Sequence, residues 1–367
     1  MKTPRLIGLF VFVLLVHFNG WANAEFNRDS TSFSVGAKVQ MGTILFHKFE
    51  LGGVAKSSPV LFELDLGWTK NTKAAWDNCN CYTKNGISLM YSNFGNPNEL
   101  GKAISLVFYV EPHLIKKNRT ALSFRAGAGP SYMNKVHDDQ TNPNNFFYSM
   151  PLSYLLTIGT NLSYSISTHT HVNLAFQFNH ISNGGTRIPN YGINYPTAGV
   201  GFQYKFSPQR LVPRKRAPLQ RKDLELLVHL FSGPRIAKAY DPIPEERRLV
   251  TGINISLVKR LSKINALGLG GEFYYDPISK VYEERSGDVY QTKIASLGIH
   301  HYLFFGKAFF GQQIARYVTA HNPDIDTNWY QRYFVGYRIS NLWFIGVSLK
   351  THLEVADFAT LTAGFSL

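Results

Sequence analysis

The chain has 367 residues, of which 14% are aromatic, 17% are charged and 30 are glycine, and its formal net charge is +14. A positive excess can reflect nucleic-acid binding, but the sequence contains no nucleic-acid-binding motif. The charge favours binding to phosphorylated lipid head groups over the alternative that it only makes the protein surface basic and well solvated.

Residues 1–24 have the features of a secretion signal. Lys2 and Arg5 form a basic start, residues 6–16 form an apolar core too short to span a bilayer, and a small-x-small cleavage site ends at Ala24. We therefore expect a cleaved signal peptide. No later apolar run is long enough for a membrane helix, so a membrane protein of this sequence must be a β-barrel or peripheral.

Eight strands are predicted in residues 25–207. Apolar residues alternate with small or polar ones, as in Leu152–Tyr164 and Ala198–Phe206. This alternation is typical of transmembrane barrel strands, although a soluble β-sandwich alternates too. The predicted strands lie at residues 31–43, 59–68, 86–94, 102–114, 120–134, 150–165, 170–181 and 195–206.

Residues 208–222 are basic, contain proline and have no periodicity, so they are predicted to form a linker. Eight further strands are predicted in residues 223–367. Most connections alternate between short and long, as in outer-membrane barrels, but residues 69–85 form a long connection where a short one is expected. The second set of strands lies at residues 224–233, 249–260, 266–275, 291–304, 308–319, 329–339, 342–352 and 357–367.

The sequence thus predicts an all-β, antiparallel outer-membrane β-barrel protein, and two architectures fit. Residues 25–207 and 223–367 could each form a barrel of about eight strands, or all sixteen strands could form one barrel. The many small inward residues favour narrow barrels, since eight strands leave room only for packed side chains. A sixteen-stranded barrel would leave a channel that needs a plug.

Metal and thiol chemistry are not indicated. Cys79 and Cys81 are too close for an ordinary disulfide and lack neighbouring histidines for a zinc site, so we interpret them as free or oxidised loop thiols. The histidine pairs at 169/171 and 300/301 lack acidic partners at metal-ligand spacing. We expect no metal and no cofactor.

The residues that carry candidate chemistry follow the strand at 171–178. His180 and Ser182 continue the apolar face of that strand, at the end where the long outer loops lie. A serine hydroxyl needs a base within hydrogen-bond reach, and Asn183 and the Gly184 backbone could donate to a developing oxyanion. A base and a hydroxyl on a lipid-facing surface suggest an enzyme that cuts lipid, although His-x-Ser alone is usually a coincidence.

The surrounding residues strengthen this interpretation. Residues 180–194 (HISNGGTRIPNYGIN) resemble the signature of the lipid A 3-O-deacylase (PagL) family, which is often labelled acyloxyacyl hydrolase. Residues 91–103 (YSNFGNPNELGKA) and 347–358 also resemble the longer branch of this family found in Bacteroidetes. The catalytic resemblance covers about residues 30–207.

The resemblance implies an eight-stranded outer-membrane barrel with its active site on the outer, lipid-facing surface. It implies a serine esterase that releases the 3-position, ester-linked acyl chain of lipid A from lipopolysaccharide. Ser182 would be the nucleophile and His180 the general base. Asn183 matches a family asparagine thought to hold the oxyanion, and Asn190 matches another asparagine near the site.

One position departs from the family pattern. Asn194 stands where the family has a glutamate as the third member of the triad. A neutral amide can orient a histidine but cannot stabilise an imidazolium by charge. Activity could therefore be low, or another acid could serve; Asp138, Asp139 and Glu99 lie in neighbouring outer loops.

Two other functions stay open on the sequence. A non-catalytic barrel with a structural or transport role would fit Asn194 and the large second half, and a soluble periplasmic β-protein would require the apolar faces to pack together. Arg187 is either a cation for a lipid A phosphate or an ordinary loop arginine. The preferred hypothesis is the outer-membrane esterase acting on lipopolysaccharide.

Overall fold

The computed structural model describes residues 30–46, 51–209, 211, 214–216, 224–237, 243–319, 327–353 and 355–367. The predicted signal peptide lies outside them, as does most of the predicted linker. The first eight strands are β1 (Thr31–Gly42), β2 (Val60–Lys70), β3 (Thr83–Asn93), β4 (Lys102–Lys117), β5 (Thr120–Met133), β6 (Leu152–Ser165), β7 (Thr170–Ser182) and β8 (Ile193–Lys205). The next eight are β9 (Glu225–Ala237), β10 (Glu246–Arg260), β11 (Asn265–Tyr275), β12 (Lys293–Phe305), β13 (Ala308–Tyr317), β14 (Trp329–Arg338), β15 (Trp343–His352) and β16 (Val355–Ser366).

The strands form two closed antiparallel barrels. In the first barrel β1 pairs with both β2 and β8, and in the second β9 pairs with both β10 and β16. The prediction of two tandem barrels is therefore confirmed, and the alternative of one sixteen-stranded barrel is wrong. Each strand lies within a few residues of its predicted position.

The two faces of each strand differ sharply in polarity. Outward side chains are apolar and exposed, as at Leu64 (60% exposed), Val200 (66%) and Leu269 (69%). Inward side chains include buried serines, threonines and ion pairs. The apolar faces do not pack together, contrary to what a soluble β-protein would require, and they suit a lipid environment.

A buried ion cluster fills the first barrel. The guanidinium of Arg125 lies 2.5 Å from a carboxylate oxygen of Glu63, 2.8 Å from one of Asp65 and 2.6 Å from one of Glu111. Two buried lysines complete the cluster, Lys38 against Glu63 and Lys84 against Asp65. Charges removed from water need such complete pairing, because each unpaired ion would cost several kcal/mol.

A hydrophobic cluster closes one end of the first barrel, where connections 43–59, 94–101, 134–151 and 183–192 meet. Phe94, Phe147, Tyr148 and Tyr195 are fully buried there. The hydroxyl of Tyr148 donates to the carbonyl of Leu100 at 2.7 Å, so the cluster also joins two of the connections. This packed end supports the residues of the candidate site.

Two helices lie where the sequence predicted only connections. Helix α1 (Lys73–Cys79) begins after Thr72, whose hydroxyl accepts the N–H of Ala75 at 3.1 Å, and helix α2 (Ile278–Ser286) follows β11. Helix α1 accounts for the unexpectedly long connection between β2 and β3. Cys79, the last residue of this helix, forms a disulfide with Cys81, so of the free and oxidised states that the sequence left open the structure has the oxidised one.

No helix in the described ranges is long and apolar enough to cross a membrane.

Replacing Arg125 tests whether the first barrel depends on its ion cluster. Arg125→Met should destabilise the folded protein by about 3–5 kcal/mol, since three buried carboxylates lose their shared partner. The measurement is the urea midpoint of unfolding in detergent micelles. Arg119→Met, at an exposed turn residue, is the matched control. Equal midpoints for the two variants would contradict the prediction.

Candidate active site

The register between β7 and β8 brings a histidine and an amide together. His180 and Asn194 are directly opposed on neighbouring strands, so their side chains point the same way. Nδ1 of His180 lies 2.7 Å from Oδ1 of Asn194. With the amide oxygen facing the ring, Nδ1 carries the proton and Nε2 is left as the basic nitrogen.

Ser182 lies beside the same imidazole. Gly192 shows this, because a Cβ built on it would lie 3.2 Å from Nε2 of His180 and 3.3 Å from Cβ of Ser182. Nε2 of His180 and Cβ of Ser182 therefore both lie next to the position that a Gly192 Cβ would occupy. Ser182 is 6% exposed, whereas His180 is half-buried. The structure thus places His180 in contact with Asn194 and brings Ser182 to the same region of the surface.

Asn183 organises the loop that follows Ser182. Its Nδ2 donates to the carbonyl of Arg187 at 2.8 Å and to Oγ of Ser149 at 3.3 Å. Its Oδ1 accepts the N–H groups of residues 185–186 at 3.0 and 3.1 Å. Its own N–H donates to Oδ1 of Asn190 at 3.0 Å. Asn183 and Asn190 therefore hold the loop, and the donors of Asn183 are already engaged.

Gly184 is the other residue whose backbone N–H the sequence selected as a donor to a developing negative charge. The residue is buried, and within the described ranges its N–H has no acceptor. Its φ of +67° is a conformation that suits glycine. Of the two oxyanion donors expected from the sequence, the geometry favours Gly184 over Asn183.

Connection 134–151 is hydrogen-bonded to the loop that carries Gly192. Tyr191 N donates to the carbonyl of Phe146 at 3.1 Å, and Gly192 N donates to that of Phe147 at 2.8 Å. These bonds tie residues 183–192 to connection 134–151, whose aromatic side chains belong to the hydrophobic cluster of the barrel end. The position of Gly192 against His180 is therefore set by the packed interior.

Two of the three acidic alternatives to Asn194, Asp138 and Asp139, make their contacts within their own loop. Asp138 accepts the hydroxyl of Thr141 at 2.8 Å, and the backbone N–H of Thr141 lowers the pKa of the Asp138 carboxyl. Asp139 contacts His137 at 3.0 Å. Asn194 is thus the side chain that faces Nδ1 of His180. Arg187 is exposed at the loop surface.

Metal-binding groups are not found in the described part of the chain, where no three His, Cys, Asp or Glu side chains are clustered for a metal ion.

Two protein-family models match the chain, one in each barrel. The model described as lipid A 3-O-deacylase (PagL) matches residues 62–203, and the model described as acyloxyacyl hydrolase, C-terminal domain, matches residues 225–367. The chain belongs to the lipid A 3-O-deacylase (PagL) family. The two matched regions correspond to the two closed barrels. No curated protein matches the chain significantly.

Solved structures of other barrels resemble the chain at low identity. The outer membrane enzyme PagL is 14% identical, covering 46% of this chain and 98% of its own, with a TM-score of 0.33. Neisserial surface protein A is 11% identical, covering 48% and 99%, with a TM-score of 0.32. A porin mutant from Rh. blastica is 8% identical, covering 92% and 100%, with a TM-score of 0.22.

Two residues of this family member's site were missed in the sequence. Ser149 precedes β6 and supports Asn183, but an isolated serine at a strand start has many ordinary explanations. Gly192 has a φ of +68°, and a Cβ built on it would lie within 3.3 Å of both His180 and Ser182. A glycine two residues before Asn194 was a detectable turn feature, but only the fold shows what it faces.

Adding one methyl group at Gly192 tests the geometry. In Gly192→Ala the new Cβ would lie 2.5 Å from Cε1 of His180, so the ring must shift. We expect labelling of Ser182 by a fluorophosphonate ester to slow by about 10²-fold, since small misplacements of a base are costly. The labelling rate is followed by mass spectrometry of the intact protein.

Gly287→Ala is the matched control for this variant. Gly287 also has a left-handed φ, +78°, but a Cβ there meets nothing within 4 Å. It should label at the wild-type rate. Equal labelling of both variants would show that Gly192 does not set the position of His180.

Proposed function

We propose that the protein is an outer-membrane serine esterase that removes a 3-O, ester-linked acyl chain from lipid A of lipopolysaccharide. The observation that carries this proposal is the adjacency of Ser182 and His180 on the outward surface of β7, with Nδ1 of His180 held by Asn194. Membership of the lipid A 3-O-deacylase family supplies the substrate class. Export by a cleaved signal peptide in residues 1–24 is part of the proposal.

The proposed chemistry is two-step acyl transfer. Nε2 of His180 takes the proton of Ser182 as its oxygen attacks the ester carbonyl, and the Gly184 N–H stabilises the oxyanion. Collapse breaks the bond to the sugar 3-oxygen, which leaves as an alcohol with the proton from His180. Water then attacks the acyl-serine with the same base, releasing the fatty acid and restoring the serine. No cofactor is needed.

The surroundings of the pair suit a lipid substrate. Tyr154 and Leu156 on β6 are the register partners of Ser182 and His180, and they are 57% and 41% exposed. An acyl chain lying against them would bring its ester to the end of the strand. Arg187, exposed on the loop above, is the proposed contact for a lipid A phosphate.

The location of the site follows from the loops. Connections 43–59 and 134–151 lie at the same barrel end as Ser182, whereas residues 118–119 and 166–169 make the tight turns of the opposite end. Long loops face outward in outer-membrane barrels. The site would then meet the outer leaflet, where lipopolysaccharide lies.

A non-catalytic barrel that binds lipid A is the second candidate. The neutral Asn194 favours it, because the amide cannot stabilise a His180 imidazolium by charge. Retention of lipid A without any loss of an acyl chain would support this function.

Removal of the Ser182 hydroxyl is the primary test. Lipid A from cells expressing the wild type should lack one hydroxyacyl chain by mass spectrometry, and Ser182→Ala should leave it intact. Ser105→Ala, at another buried serine of the first barrel, is the matched control and should behave like wild type. Identical lipid A with wild type and Ser182→Ala, both inserted, would reject the esterase.

Restoring the charge at position 194 tests the role of the amide. Asn194→Glu should raise kcat at least tenfold, because a carboxylate stabilises the imidazolium by charge as well as orienting the ring; the Asp→Asn change in a serine protease costs about 10⁴ in kcat, mainly through the wrong tautomer. Asn194→Leu should lower kcat, because Nδ1 of His180 loses its acceptor. The measurement is initial deacylation rate in detergent micelles. A rate unchanged by both substitutions would show that Asn194 is a bystander.

A further inference from the structure

The second barrel touches the loop of the candidate site. A Cβ built on Gly184 would lie 2.9 Å from Cβ of Ala359, and one built on Gly185 would lie 2.7 Å from the carbonyl oxygen of Asp357. Asp357 and Ala359 lie near the start of strand β16. We call this contact, between residues 184–185 and residues 357–359, the inter-barrel seam.

The seam leaves no room for side chains on its first-barrel side. Both distances are shorter than real Cβ contacts, so any other residue would force the two segments apart. Gly184 and Gly185 also have positive φ values, +67° and +78°. The glycine pair in the family signature is therefore matched to the second barrel as well as to its own backbone conformation.

The second-barrel side of the seam is rigidly held. A β-bulge interrupts the pairing of β15 with β16, since Lys350 pairs with Phe358 while Thr351 pairs with Ala356. Asp357 is the extra residue between them. A bulge redirects the backbone at such a position, and here the Asp357 carbonyl faces Gly185.

An ion cluster inside the second barrel anchors the bulge. The carboxylate of Asp357 accepts from Nε of Arg235 at 2.8 Å, and the same guanidinium pairs with Asp276. Arg235 and Asp276 are buried, and the side chain of Asp357 is 10% exposed. The bulge is thus bonded to β9 through Arg235 and, through the same guanidinium, to the residue that follows β11. The position of the seam is therefore fixed by other strands of the second barrel.

We propose that the second barrel is a positioning element for the esterase, with the bulged start of β16 holding the Gly184 N–H in line with Ser182. The inference rests on the proposed function. The seam lies two residues from the nucleophile and on the segment that carries the oxyanion donor. A donor must lie within a fraction of an ångström of its place to be effective, so a displaced seam lowers turnover.

Enlarging Ala359 is the test. Ala359→Leu pushes atoms against Gly184 without changing any group that contacts substrate. We expect kcat for lipid A deacylation to fall by about tenfold to a hundredfold while KM stays nearly constant. Ala363→Leu makes the same change lower on the outward face of β16 and should keep wild-type values. Ala359→Gly, which removes a methyl group, should also retain turnover.

Folding is followed separately, by the heat-dependent mobility of each variant in gels. The proposal is overturned if folded Ala359→Leu has the kcat of Ala363→Leu, or if its only change is a higher KM, which would indicate substrate access. An inactive wild type indistinguishable from Ser182→Ala would instead reject the esterase itself.

A cysteine pair tests the seam without activity. Gly184→Cys with Ala359→Cys should form a disulfide, detected as a linked peptide pair by mass spectrometry, because their Cβ atoms are close. Gly184→Cys with Ala363→Cys should not. Absence of the first link in the folded protein would overturn the seam, and with it the positioning role.

Discussion

The antiparallel register between β7 and β8 is the constraint on which the candidate site depends. It opposes His180 to Asn194 and sends both side chains outward with Ser182. A slip of one residue in either strand would turn the pair toward opposite faces, because strand side chains alternate. The register is in turn maintained by the closure of an eight-stranded barrel, since every strand has two fixed neighbours. The geometry of the candidate site on this surface therefore follows from backbone pairing.

The interior of each barrel supports this surface in a different way. In the first barrel a complete ion cluster around Arg125 fills the middle, and an aromatic cluster closes the end beneath the site. In the second barrel a buried cluster around Arg235 anchors the bulge that meets Gly185. In both clusters a different arrangement of strands would leave buried charges unpaired, which is strongly destabilising. The clusters therefore favour the observed arrangement. The loop at 183–192 lies between these two supports, which explains how a glycine-containing segment can hold a defined shape.

Asn194, the proposed third member of the triad, is a neutral amide. In the proposed triad its carbonyl oxygen takes the geometric part of the acid, because it orients the imidazole and favours the tautomer with the proton on Nδ1. The electrostatic part is missing, since an amide carries no charge to stabilise the imidazolium. The nearby acids do not replace it: Asp138 and Asp139 are bound within their own loop. The proposed site therefore has an acceptor that orients His180 but no negative charge to stabilise its imidazolium.

The sequence alone determined the strands and their polarity. All sixteen strands and the narrow tandem barrels could be predicted, because period-two alternation is a local property of the chain. Strand parity also selected His180, Ser182 and Asn194 as the candidate group, whose chemical role stays a prediction. Helix α1 and the Cys79–Cys81 disulfide were missed, since short helices and neighbouring cysteines carry weak local patterns. Only the tertiary structure decided that Asn183 is engaged in loop bonds, that Gly192 touches His180, and that β16 meets the Gly184–Gly185 segment. These contacts join residues far apart in sequence, and their geometry depends on how loops and barrels pack, which no local pattern encodes.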